Sequence, residues 1–152
     1  GADDELRAAV GDERDDWLDL LLSTRVAAGF EPGRLTVLRH YPASQAALAR
    51  LCPADAAVAD RFEVFLGSVE LANGYVELTD ADEQRRRIEA DNEARKRRGR
   101  PVRPVDELLL AALDSGLPEC AGVALGIERL QMLFHKTDDI GKVITFSFRE
   151  IE

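Results

Sequence analysis

The chain has 152 residues, 45% of them apolar, and a net charge of -9. That supplies one packed domain and excludes wholesale disorder. The negative charge argues against broad nucleic-acid affinity, and the longest unbroken apolar run, Leu108 to Leu113, is far short of the ~20 residues that span a bilayer.

The N-terminus, Gly-Ala-Asp-Asp, is no signal peptide and lacks a starting Met, so the chain reads as a piece of something longer. Residues Asp12 to Phe30 carry an apolar stripe (Trp17, Leu20, Leu21, Val26) at helical spacing, with Trp17 as its core anchor. Gly29 and Pro32-Gly33 stop that helix. Leu35 to His40 reads as a strand. Pro42 onward reads as a helix with alanines and Leu48 on one face. Arg61 to Leu66 and Val69 to Leu78 alternate as strands, and Gly67-Ser68 between them makes a hairpin turn. Asp80 opens a long polar helix to about Arg98, with Glu83 placed as in a capping box. Val105 to Leu113 is an apolar helix closed by Ser115-Gly116. Ala121 to Gly126 is a strand of small residues leading into a helix at Ile127, and Gly141 to Phe148 is a last strand. The mixture reads as α+β with a largely antiparallel sheet.

The two cysteines, Cys52 and Cys120, sit in apolar surroundings and read as buried free thiols of a reducing cytoplasm, with no ligand spacing around them. His40 and His135 are isolated and read as polar residues at element ends. Arg95-Lys-Arg-Arg-Gly-Arg100 reads as a solvated helix end that complements the dipole, or else as a contact for RNA or an acidic protein patch.

Two stretches carry chemistry. With a two-residue turn at Gly67-Ser68, Glu63 and Glu70 fall on one face, diagonal to each other. Two close carboxylates repel unless a cation lies between them, and Mg²⁺ on a polyphosphate is a natural candidate. Spacing alone fits an edge hairpin with solvated glutamates as well. Asn73, Tyr75 and Glu77 share the other face and offer an amide, an aromatic wall and a carboxylate, a set that suits an ammonium on an apolar stem. For Glu70 and Glu77 to serve one pocket, the strand must twist or bulge, with Gly74 the expected place. The second stretch is Gly122-Val-Ala-Leu-Gly-Ile-Glu-Arg129. Gly122, Ala124 and Gly126 leave one strand face nearly bare, and the helix behind them aims its N-terminus at the same region. Arg129 is a cation in a first helical turn, mildly disfavoured there, and its fork suits a phosphate. Glycines kept for packing and an ordinary surface arginine are the competing reading.

Together, Tyr41-Pro-Ala-Ser-Gln-Ala-Ala-Leu-Ala49, Arg61-Phe-Glu63, Glu70-Leu-Ala-Asn-Gly-Tyr-Val-Glu-Leu78 and Gly122 to Arg129 resemble the catalytic domain of class II lysyl-tRNA synthetases. The resemblance is closer still to their short paralogues, the elongation factor P lysine ligases. It runs from about Leu35 to the C-terminus, and Gly122 to Arg129 resembles the third class II signature motif. It implies a class II-type antiparallel sheet flanked by helices: a helical lead-in over 1–34, then the sheet, its inserted helices and that motif over 35–152, as the C-terminal part of a catalytic domain.

The resemblance further implies that Glu63 and Glu70 hold Mg²⁺ with ATP, that Leu71 lies beside the nucleotide, and that Gly126 and Arg129 line the ATP site. Arg129 would be catalytic, on the terminal phosphate. Asn73, Tyr75 and Glu77 would hold a lysine-like substrate above Ala124, whose methyl marks the ligase branch where the tRNA-charging enzymes carry Gly. A carboxylate would attack the α-phosphate, giving an acyl-adenylate, with elongation factor P as acceptor or, in the rival reading, lysine tRNA. The parent would be a homodimer. The first and second class II motifs are not among these residues, so this stretch alone is expected not to activate amino acids. A non-catalytic module that kept the fold is the remaining alternative.

Overall fold

The computed structural model describes residues 2–146, with side chains over 4–146. Helix α1 (Ala2–Val10) is followed by α2 (Arg14–Leu21), which runs on as a π turn over Leu22–Val26 and a 3-10 turn over Ala27–Gly29. The hydroxyls of Ser23 and Thr24 explain the change of winding. Ser23 donates to the Asp19 carbonyl at 2.9 Å and Thr24 to the Leu20 carbonyl at 2.6 Å, competing with the backbone N–H groups for the same acceptors.

Strands β1 (Leu35–Pro42), β2 (Leu51–Cys52), β3 (Asp55–Leu66), β4 (Val69–Val76) and β5 (Ala121–Leu125) form one five-stranded sheet in the order β1-β3-β4-β5, with β2 paired to β3. β3 and β4 form a hairpin. The bonds from Gly126 N to Leu71 O and from Glu77 N to Cys120 O set β5 antiparallel to β4. Helices α3 (Ala81–Arg97), α4 (Glu107–Asp114) and α5 (Ile127–His135) complete an α+β fold.

The described residues group into two compact units, 2–39, 62–73 and 123–146 in the first and 40–61 and 74–122 in the second. In the first unit, Gly67 takes a φ of 55° at the hairpin turn, a value glycine adopts freely. Phe30, just past the lead-in helices, meets Phe65 edge-on with ring centroids 5.3 Å apart. Trp17 is only half-buried, and its indole N–H donates to Gly11 O at 2.8 Å. It ties α2 to the turn before it instead of anchoring a core, and Leu21 and Val26 of the expected stripe are exposed.

The second unit packs on three alanines, Ala46, Ala49 and Ala59, with Leu51 and Tyr75 against them. α3 buries only Gln84, so polar contacts hold it. The Arg87 guanidinium donates to Ala47 O at 3.1 Å and Ala49 O at 2.7 Å. Arg85 grips both oxygens of Glu107 on α4 at 3.0 and 2.6 Å. Asp80 caps α3 by accepting from Glu83 N at 2.8 Å, as its position predicts. The return half of the capping box is missing, because the Glu83 carboxylate goes to Arg86 and Arg87. Those hydrogen bonds, Arg87 first, hold the Glu83 carboxyl below its ordinary pKa. Its contribution to stability is present above the unfolded carboxylate value and is lost as pH falls through the folded one. Asp80→Ala should cost about 0.5–2 kcal/mol in denaturant unfolding. An unchanged midpoint would show that the cap contributes nothing.

Four further expectations are corrected. Pro42 onward is no helix: a 3-10 turn covers Ala43–Gln45, and Ala47 takes a φ of 50°. The backbone there is engaged elsewhere, Leu48 O accepting from Leu78 N and Ala47 O from Arg87. The buried alanines are real, but Leu48 is exposed. Gly141 to Phe146 is no strand, since Asp139 accepts from Gly141 N at 2.9 Å and starts a 3-10 turn over Ile140–Lys142. Positions 147 and 148 of that expected strand lie outside the described residues. Neither thiol is buried: Cys52 is half-buried, and Cys120 is exposed because it leads into β5, outermost in the strand order. Finally, Asn73 does not share a face only with Tyr75 and Glu77, as the site geometry shows.

Candidate active site

Arg129 lies in the first turn of α5, just after Gly126 at the N-cap. The helix dipole disfavours a cation there. Glu70 offsets it: Arg129 Nη1 donates to Glu70 O at 2.9 Å and lies 3.4 Å from Glu70 Oε2. Gly126 N donates to Leu71 O at 2.9 Å, which fixes the start of α5 against β4. Leu71 is buried, so it can present backbone or a flank, not a polar group, to a ligand.

Glu63, Glu70 and Arg129 line one cavity of about 480 Å³, together with Phe65, Ser68 and Asp19. Glu63 is 8% exposed. Glu63 and Glu70, expected on one face, thus border the same cavity. Asn73 donates to Glu63 Oε1 at 3.3 Å. Strict alternation from Glu70 would put Asn73 on the opposite side, so this contact departs from the simple parity of the hairpin. Asp19 of α2 was missed by sequence reasoning, because a lone acid on a solvated helix face carries no pattern.

Tyr75 and Glu77 belong to the second unit, whereas Asn73 belongs to the first. Burial, and then the Glu77 carboxylate, raise the Tyr75 hydroxyl above its ordinary pKa, with Arg61 partly opposing. Arg61 opens the Arg61-Phe-Glu63 stretch. It stacks over the Tyr41 ring, 4.4 Å from the centroid, and donates to Gln45 O at 2.9 Å. Glu77 lies against Gly122, where a Cβ would overlap Glu77 Oε1. The bareness read at Gly122 thus has a specific use, which is to admit a carboxylate. Ala124 is exposed on β5.

Two acids and an arginine around one cavity suit a metal-bound polyphosphate. A tyrosine and a carboxylate beside a bare glycine suit an ammonium group.

A family model described as class II tRNA synthetases (D, K and N) matches residues 25–150. The chain belongs to this family. Among curated proteins, it is 50% identical over 140 residues to an elongation factor P (R)-β-lysine ligase of Klebsiella pneumoniae subsp. pneumoniae, covering 92% of this chain and 43% of that protein. It is 49% identical over 136 residues to the enzyme of the same name from Pectobacterium atrosepticum, covering 90% and 42%. For that of Avibacterium paragallinarum the identity is 45% over 142 residues, covering 93% and 44%. The chain spans less than half the length of these relatives. No helix among the described residues is long and apolar enough to cross a membrane.

Proposed function

We propose that the protein carrying this chain activates a lysine-like amino acid with ATP and ligates it to a lysine of elongation factor P. The observation that carries the reading is the convergence of Glu63, Glu70 and Arg129 on one cavity, in a chain that matches the family model over residues 25–150. The names of its relatives supply the acceptor and the preference for (R)-β-lysine.

In this reading the substrate carboxylate attacks the α-phosphorus of ATP. An acyl–O–P bond forms, the bond to the bridging oxygen breaks, and pyrophosphate leaves. The acceptor amine then attacks the acyl carbon, loses a proton and expels AMP. No protein nucleophile is needed, because positioning and charge stabilisation suffice. Glu63 and Glu70 fit Mg²⁺, since oxygen donors from one or two carboxylates with phosphate oxygens are its usual set. The bound ion would neutralise polyphosphate charge. Arg129, already turned to Glu70, meets the terminal phosphate, and Glu77 takes the substrate ammonium. Ala124 narrows the amino-acid floor, in keeping with the β-amino acid.

The test uses the full-length protein with ATP, (R)-β-lysine and either purified elongation factor P or lysine tRNA. The expected result is a mass gain of one β-lysyl group on the factor. Robust tRNA charging with the factor left unmodified would favour a lysyl-tRNA synthetase instead.

A further inference from the structure

His40, Cys52 and Asp60 lie on β1, β2 and β3, all within the second unit. Each offers one ligand atom, an imidazole nitrogen, a sulfur and a carboxylate oxygen, and these atoms all lie within 4.8 Å of one another. We propose that they form a binding site for a borderline divalent cation of the zinc class, separate from the Glu63–Glu70 cavity.

Two backbone irregularities build the cluster. His40 takes a φ of 60° inside a strand, a left-handed conformation that costs a non-glycine residue energy and breaks the alternation of β1. The β2–β3 register, Leu51 against Ala59 and Cys52 against Asp55, shifts between Leu51 and Cys52. Bulges of this kind re-aim a side chain. Each irregularity falls at one of the two residues that join Asp60. Regular strands with the same sequence would have kept alternation at both positions.

The third ligand is already held. Arg50 Nη2 donates to Asp60 Oδ2 at 3.0 Å, which orients the carboxylate and leaves Oδ1 for a metal. Arg50 also brings a positive charge that opposes the cation. The Cys52 thiolate supplies a second negative charge against it, its proton leaving as the metal binds.

The donor set decides the class of metal. Nitrogen, sulfur and oxygen together suit Zn²⁺ or Co²⁺, whereas Mg²⁺ and Ca²⁺ take oxygen. A tetrahedral zinc site sets its ligand atoms about 3.3–3.8 Å apart, so closing the cluster takes a contraction of at most about 1.5 Å from the 4.8 Å limit. His40 is exposed, so a water can reach the fourth position.

The experiment is a Co²⁺ titration of the tag-free intact chain, followed by Zn²⁺ competition. The expected result is a near-ultraviolet sulfur-to-cobalt charge-transfer band at one equivalent, displaced by Zn²⁺. Cys52→Ser should abolish the band and Cys120→Ser should keep it. His40→Gln, at an exposed position, should lower Zn²⁺ affinity at least about tenfold, the lower bound for losing even an outer partner of a metal ligand. That variant carries the test if Cys52→Ser fails to fold. Absence of the band in the native chain, its survival in Cys52→Ser, or unchanged Zn²⁺ affinity in His40→Gln would each overturn the proposal.

Discussion

Replacing Arg129 with Ala in the full-length protein should lower ATP–pyrophosphate exchange by roughly 10²–10³-fold, the usual cost of removing one donor aimed at developing charge. Its fork now rests on the Glu70 carbonyl and carboxylate, an exposed pair whose two side chains are 51% and 38% accessible. An exposed pair contributes about 0–1 kcal/mol to stability. The melting temperature should therefore barely move while exchange collapses. This contrast separates a phosphate-binding arginine from a structural one. Arg129→Lys keeps the charge but loses the planar fork and should recover little. Exchange at the native rate in Arg129→Ala would remove the residue from the mechanism.

The second large effect is expected at Glu77. Glu77→Gln should raise the KM for the lysine-like substrate by about 10–150-fold, the loss of one charge-assisted hydrogen bond of about 1.5–3 kcal/mol. The KM for ATP should stay within about twofold, since the proposed nucleotide site uses other residues. Gly122→Ala probes the same contact while leaving the Glu77 side chain chemically unchanged. Its new methyl would collide with Glu77 Oε1 and force the side chain aside, so its effect should fall in the same direction as Glu77→Gln. A Gly122→Ala variant with native amino-acid affinity would show that the seat of Glu77 on β5 does not matter for binding.

Much of this site was legible in the sequence because it is local. The Glu63–Glu70 pairing followed from a two-residue turn and strand parity, and both residues line one cavity. The setting of Arg129 followed from a bare strand running into a helix, and the strand and helix are where the residues indicated. The family resemblance, carried by the same stretches, agrees with the match over residues 25–150. What escaped depends on contacts distant in sequence. The Pro42 segment has helix-forming alanines, yet its carbonyls are claimed by Arg87, some 40 residues on, and by Leu78. Strand β2 has only two residues, and the first half of β3, Asp-Ala-Ala-Val-Ala-Asp, has little strand propensity, so neither stood out. The contact of Asn73 with Glu63 leaves no mark in composition. The grouping of His40 with Cys52 and Asp60 needs three strands to be aligned first.

The strand order leaves β1 and β5 outermost among the described residues, and both carry bare apolar side chains: Leu35 and Val37 on one, Val123 and Leu125 on the other. Such edges are templates for further pairing. Mutual repulsion at a net charge of -9 opposes that pairing between copies. Acidification weakens this repulsion carboxylate by carboxylate, while salt screens it within about 10 Å at 0.1 M. Colloidal lifetime, more than resistance to unfolding, will therefore set the lowest pH and highest ionic strength at which the isolated chain stays clear in solution.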